Sequence, residues 1–105
     1  MIEHILLIKF KPGIPAEHLD LLMRQARTHL LRVPEVLTVR AGKRIWLEAE
    51  WPFYISIEVE NMDRLAMALD DPNFIKFREE VLKPITAAQL VLDYELEPGK
   101  NIKYS

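Results

Sequence analysis

The chain has no cysteine, which removes disulfides, thiolate nucleophiles and thiolate metal sites together and fits a reducing compartment. It also lacks an excess of either charge: 14 basic residues stand against 16 acidic ones, so nothing in the composition is built to attract polyanions, and nucleic acid is not an expected partner. No segment approaches the roughly 18 consecutive apolar residues needed to span a bilayer, so no membrane partner is expected. The opening Met1-Ile2-Glu3-His4 has no basic stretch followed by a long apolar run, so no signal peptide is expected and the cytoplasm is the expected location. Internal repeats and low-complexity segments are absent as well. What is present is a half-hydrophobic chain of 105 residues, the size of one domain that buries roughly 60 to 70% of its unfolded surface.

Residues 2–10, IEHILLIKF, are rich in Ile, Leu and Phe and stop at the turn residues Lys11-Pro12-Gly13, which predicts a strand. Alternation puts Ile2, His4, Leu6, Ile8 and Phe10 on one face and Ile5 and Leu7 on the other. Pro15-Ala16-Glu17 reads as a helix start, and Leu19, Leu22, Met23, Ala26, Leu30 and Val33 recur at three- and four-residue spacing before Pro34. Asp20 and Arg24 are spaced as an i, i+4 ion pair on the wet side. Residues 36–45 predict a second strand with Gly42 as a candidate bulge, and 46–52 a connection carrying Trp46 and Trp51. In the third strand, 53–59, Phe53, Ile55, Ile57 and Val59 face one way and Tyr54, Ser56 and Glu58 the other.

Asn61 suits an N-cap for a short helix over 62–69, which Pro72 interrupts. The stretch DDPNFIKF at 70–77 then starts again, with Asp71 as cap, Pro72 as first helical residue, and Phe74, Phe77 and Val81 along one face ahead of Pro84. Residues 89–96 predict the last strand, with Leu90, Leu92, Tyr94 and Leu96 opposite Gln89, Val91, Asp93 and Glu95. One domain over 1–96 and a C-terminal tail over 97–105 follow.

The order βαββαβ is that of a ferredoxin-like α+β domain, a four-stranded antiparallel sheet. Right-handed crossovers place both helices on one sheet face. The other face would then carry Ile5, Leu7, Tyr54, Leu90, Leu92 and Tyr94. Contiguous apolar patches mark interaction surfaces, and a two-fold homodimer, sheet against sheet, is the simplest closed solution.

From HILLIKFK at 4–11, through VPEV at 33–36, to DDPNFIKF and the closing VLDYE at 91–95, the chain resembles the stress-responsive A/B barrel (Dabb) family. The resemblance implies ferredoxin-like folds paired into a dimeric α+β barrel. Some members are small-molecule enzymes, such as a plant polyketide cyclase; others have no assigned reaction. In the cyclase-like members the stretch matching DDPNF runs His-Pro-x-His, the second His being a general base assisted by a tyrosine about two turns earlier. Matching on Pro72 puts Phe74 at that histidine and Ala68 at the tyrosine, and neither moves a proton. Asp71 stands at the first histidine, while His4 keeps a polar pocket group.

The site candidates are therefore His4, Leu6, Ile8, Met23, Ile55, Ile57, Phe74 and Phe77, which either line a ligand cavity between sheet and helices or simply fill the core. His4 either anchors a ligand or is a half-buried histidine bonded to a neighbour; the sequence shows no catalytic partner for it. His18 and His29 lack the spacing that presents two ligands to one metal, and Asp70-Asp71 caps a helix rather than gathering oxygens around a cation. Neither metal nor cofactor is expected. Glu48, Glu50, Glu58 and Glu60 read as solvated or dimer-edge carboxylates, and Trp46 and Trp51 either cover a pocket mouth or pack on a partner. Two function classes fit: a dimeric A/B barrel protein of unassigned reaction that binds a small apolar ligand, or a cyclase- or cofactor-free monooxygenase-like enzyme using His4.

Overall fold

A computed structural model describes residues 1–98, so the tail beyond Pro98 lies outside the described residues. Four antiparallel strands, β1 (Ile2–Phe10), β2 (Thr38–Lys43), β3 (Phe53–Val59) and β4 (Thr86–Glu95), lie in the order β2-β3-β1-β4. β1 is interior, so its backbone groups are paired on both sides, with β3 from Ile2↔Val59 to Ile8↔Phe53 and with β4 from Ile2↔Glu95 onward. Its unbroken apolar content is what a strand buried between neighbours requires. Helix α1 (Ala16–Leu30) and the shorter α2 (Met62–Asp70) and α3 (Pro72–Lys76) supply the covering layer. Ile8, Phe53, Ile57 and Val59 from the sheet meet Leu22, Ala26 and Leu30 from α1 and Leu65, Ala68 and Phe77 from the second helical segment in one buried cluster.

Local chemistry sets the helix starts. Asn61 accepts from the Arg64 N–H at 2.9 Å and Asp71 from the Asn73 N–H at 2.8 Å, each satisfying an otherwise orphaned donor of the first turn. Pro15 is the N-cap of α1 rather than a residue of its first turn. Val33 lies past the end of α1 yet remains buried, its N–H donating back to the Leu30 carbonyl in a turn.

Three expectations are corrected. The second strand spans only Thr38–Lys43, because the Val36 N–H turns back to the Val33 carbonyl before the ladder begins. Gly42 is no bulge: β2 and β3 pair without interruption, and the glycine lies opposite Tyr54, whose Cε1 would sit 2.7 Å from an added Cβ. The register shift in the sheet falls instead between Lys9 and Phe10. Asp20 reaches across to Lys43 at 3.2 Å rather than along its own helix to Arg24, since the strand end brings a lysine to the helix flank.

The fourth difference has consequences for the site. Beyond Lys76 the chain does not continue as an α-helix but winds as a π-helix over Phe77–Leu82, followed by a 3-10 turn at Lys83–Ile85. An α-helix would stack Val81, four residues on, above Phe77; a π-helix stacks the fifth. Leu82 is accordingly buried and Val81 only half-buried.

On the sheet face away from the helices, Ile5, Leu7, Tyr54 and Leu92 are half-buried, whereas Leu90 and Tyr94 are exposed. This face is not uniformly apolar. Arg40 holds Glu58 at 2.8 Å and Glu3 at 3.6 Å, a charged cluster toward the β2 edge.

Candidate functional site

Between the β1–β3–β4 part of the sheet and the second helical segment lies a cavity of about 260 Å³. The sheet contributes His4, Leu6, Ile55, Ile57, Gln89 and Val91. The helical layer contributes Leu30, Leu69, Phe74, Phe77, Arg78 and Leu82. The origin of this space is visible in the strand order: β4 is an edge strand, and its residues on the helix side are exposed where the helical layer does not cover them.

Period-two alternation in β1 points His4 to the helix side, and the sheet register sets it between Ile57 on β3 and Asp93 on β4. His4 is 8% exposed and its Nδ1 lies 2.5 Å from the Asp93 Oδ1. Phe74 approaches it with ring centroids 6.3 Å apart at a tilt of 59°. In the neutral imidazole, Nδ1–H donates to the carboxylate, which fixes the tautomer and leaves the lone pair on Nε2. Asp93 itself is about two-fifths exposed, so its charge is shared between the histidine and water. A histidine held in this way is able to accept a hydrogen bond from a bound hydroxyl or to take a proton. The sequence showed no partner for His4 because Asp93 is 89 residues away; the pairing comes from register.

The structure brings His4, Leu6, Ile55, Ile57, Phe74 and Phe77 together around the cavity. Ile8 is elsewhere, fully buried in the core one turn of the strand pleat beyond Leu6. Met23 is also elsewhere, in a shallow groove with Asp20, Arg24, Arg27, Val39 and Ala41 on the far side of α1. Six lining residues, Leu30, Leu69, Arg78, Leu82, Gln89 and Val91, were not among the site candidates read from the sequence. For Gln89 and Val91 the signal existed, since strand alternation already set them on the face of Asp93, and for Arg78 it lay in the four-residue spacing from Phe74; for Leu82 it did not, because its place depends on the π-helical register.

The other candidates sit apart. Ala68 is fully buried, so the position matching the family's tyrosine is packing. The His29 ring lies 5.8 Å from that of Phe77, and His18 is a half-buried residue of the first turn of α1. Among the described residues no group of three or more His, Asp or Glu side chains converges as a metal site. Trp51 packs under the Lys9 ammonium, 4.8 Å from its ring centroid, and Trp46 is exposed; neither lines the cavity. Glu50 pairs with Lys9 at 3.2 Å. No helix among the described residues is long and apolar enough to cross a membrane.

Comparison with solved structures places the architecture among known ones. An Arabidopsis thaliana protein superimposes with a TM-score of 0.81 at 19% identity, over 92% of this chain and 96% of that one. A dimeric ferredoxin-like protein of unknown function from Thermobifida fusca gives 0.78 at 17% identity, covering 90% of each chain. The hydroxynitrile lyase from Passiflora edulis gives 0.78 at 15% identity, over 92% and 94%. At these identities the likeness concerns the fold. A search of curated proteins by sequence found no match. The family model for the stress responsive A/B barrel domain matches residues 2–96, spanning every strand and helix described above, and the chain therefore belongs to the Dabb family.

Proposed function

We propose that this is a homodimeric A/B barrel protein that binds a small, largely apolar molecule carrying a hydroxyl group in the cavity between sheet and helices. The observation that carries the reading is His4, a buried imidazole whose Nδ1 is held by Asp93 and whose ring borders a space otherwise lined mainly by carbon. Small-molecule sites have this composition, apolar walls with a few fixed polar groups that set orientation. The dimer is inferred from the uncovered sheet face with Ile5, Leu7, Tyr54, Leu90, Leu92 and Tyr94, each worth about 1.5–3 kcal/mol on full burial, and from the dimeric state of the Thermobifida fusca neighbour.

Calorimetric titration with 4-hexylphenol tests the cavity. Saturable binding is expected, weakened about tenfold in His4→Phe, which keeps the ring volume and removes the acceptor, while half-exposed Asp93 is left to water. No saturation, or equal affinity in the variant, refutes the reading.

The 2.5 Å His4–Asp93 contact also supports a second reading, a proton-transfer enzyme in which His4 is the general base. The Passiflora edulis lyase demonstrates that the fold hosts catalysis. Enzyme-dependent deuterium exchange at the α-carbon of an aryl methyl ketone, abolished in His4→Phe, would favour it over simple binding; an exchange rate equal to buffer would exclude it for this substrate class.

A further inference from the structure

We infer that the cavity selects anionic ligands: its occupant is an apolar molecule with a terminal carboxylate, which Arg78 and Gln89 receive at the end remote from His4. The inference rests on the cavity-binding reading above and adds the ligand's chemical class to it.

The lining is polarised. Asp93 pairs with His4 at one end of the β1–β4 ladder, and Gln89 pairs with Ile8 further along. Gln89 and Asp93 are four residue steps apart along the strand, about 13 Å at the usual rise. Between them the wall is Val91, Leu6, Ile55 and Ile57 on the sheet side and Phe74 on the helical side, with no charge among them. The imidazole–carboxylate pair therefore occupies one end and the guanidinium with a primary amide the other.

Arg78 lies four residues after Phe74 along the helical segment, so the face that turns Phe74 to the cavity brings Arg78 to it as well. Its contact with Glu79 is long, 3.4 Å, and engages Nε. That leaves the terminal amino groups, the edge of the guanidinium that clamps a carboxylate through two parallel hydrogen bonds. Glu79 is shared, because Lys83 approaches its other oxygen at 3.4 Å. Two cations thus meet one carboxylate in the groove of Arg78, Glu79, Leu82, Lys83, Thr86 and Gln89 that borders this end of the cavity. A second anion, supplied by the ligand, would balance the group. Gln89 offers an amide N–H to the same oxygens. A guanidinium beside a mostly apolar wall favours an amphipathic acid over either a neutral oil or a small hydrophilic anion, because both ends of the molecule are then satisfied.

Octanoate and 1-octanol, matched in chain length, separate the claims when titrated into the full chain by calorimetry at constant ionic strength. The wild-type protein is expected to bind octanoate about tenfold more tightly than octanol. Arg78→Gln should erase that preference by weakening octanoate far more than octanol, Arg78→Lys should retain part of it, and added salt should weaken octanoate more than octanol. Equal affinities in the wild type, or a preference that survives Arg78→Gln, overturn the inference even if 4-hexylphenol binds. If none of the three compounds binds, the cavity reading falls and this inference falls with it.

Discussion

Replacing Leu82 and Val81 separately by alanine tests the π-helical turn that contributes Phe77, Arg78 and Leu82 to the cavity wall. Leu82 is 4% exposed and belongs to the buried cluster, whereas Val81 is half-buried and only packs against it. Leucine-to-alanine changes in cores cost about 2–5 kcal/mol. Leu82 already borders the cavity, so part of its surface lacks partner atoms, and a loss of about 2–3 kcal/mol is expected. Val81→Ala removes two methyl groups from a half-buried site, roughly 1 kcal/mol, and recovers a few tenths through the better helix propensity of alanine. The two variants should therefore differ by about 1–2 kcal/mol. Urea denaturation at one fixed protein concentration measures this, with Leu82→Ala moving the midpoint by roughly 1–2 M at a slope unchanged from the wild type. An α-helical register from Phe77 reverses the order, because Val81 would then take the buried position. Val81→Ala costing as much as Leu82→Ala would refute the π-helical assignment and, with it, the placement of Leu82 in the cavity wall.

Two further outcomes bear on the sheet. Leu7→Glu places a carboxylate at the centre of the uncovered face, so sedimentation at micromolar concentration should show the wild type as a dimer and the variant as a folded monomer; a variant that stays dimeric would move the interface elsewhere. Gly42→Ala should cost about 1–3 kcal/mol because its Cβ meets the Tyr54 ring at 2.7 Å, and the double variant with Tyr54→Ser should recover most of the loss; an unaffected single variant would mean that the ring moves aside freely.

The His4–Asp93 pair changes how the family resemblance is interpreted. Aligned on Pro72, the positions of the cyclase-type histidine and tyrosine hold Phe74 and Ala68, one facing the cavity and one fully buried in the core. The positions that match the cyclase-type histidine and tyrosine therefore hold no titratable group, and the imidazole–carboxylate pair of this chain lies on the sheet instead, with His4 on β1 and Asp93 on β4. Phe74 packs toward that histidine instead of replacing it chemically.

Much of the fold is legible in one dimension. Residues 2–10 and 53–59 fold as the strands that their composition and alternation predict, and Asn61 and Asp71 cap the helices that they precede. These features depend on neighbours within a few positions, so the chain itself determines them, including which side of the sheet His4 and Asp93 face. That His4 lies against Asp93 rather than against Val91 is different in kind, because a shift of register between two remote strands leaves both alternation patterns intact. The widening of the helix after Phe77 is likewise a tertiary outcome: burying Leu82 under the sheet requires a fifth residue in the turn, and no local propensity encodes it. Local alternation made the two faces, and long-range packing decided which polar groups meet on one of them.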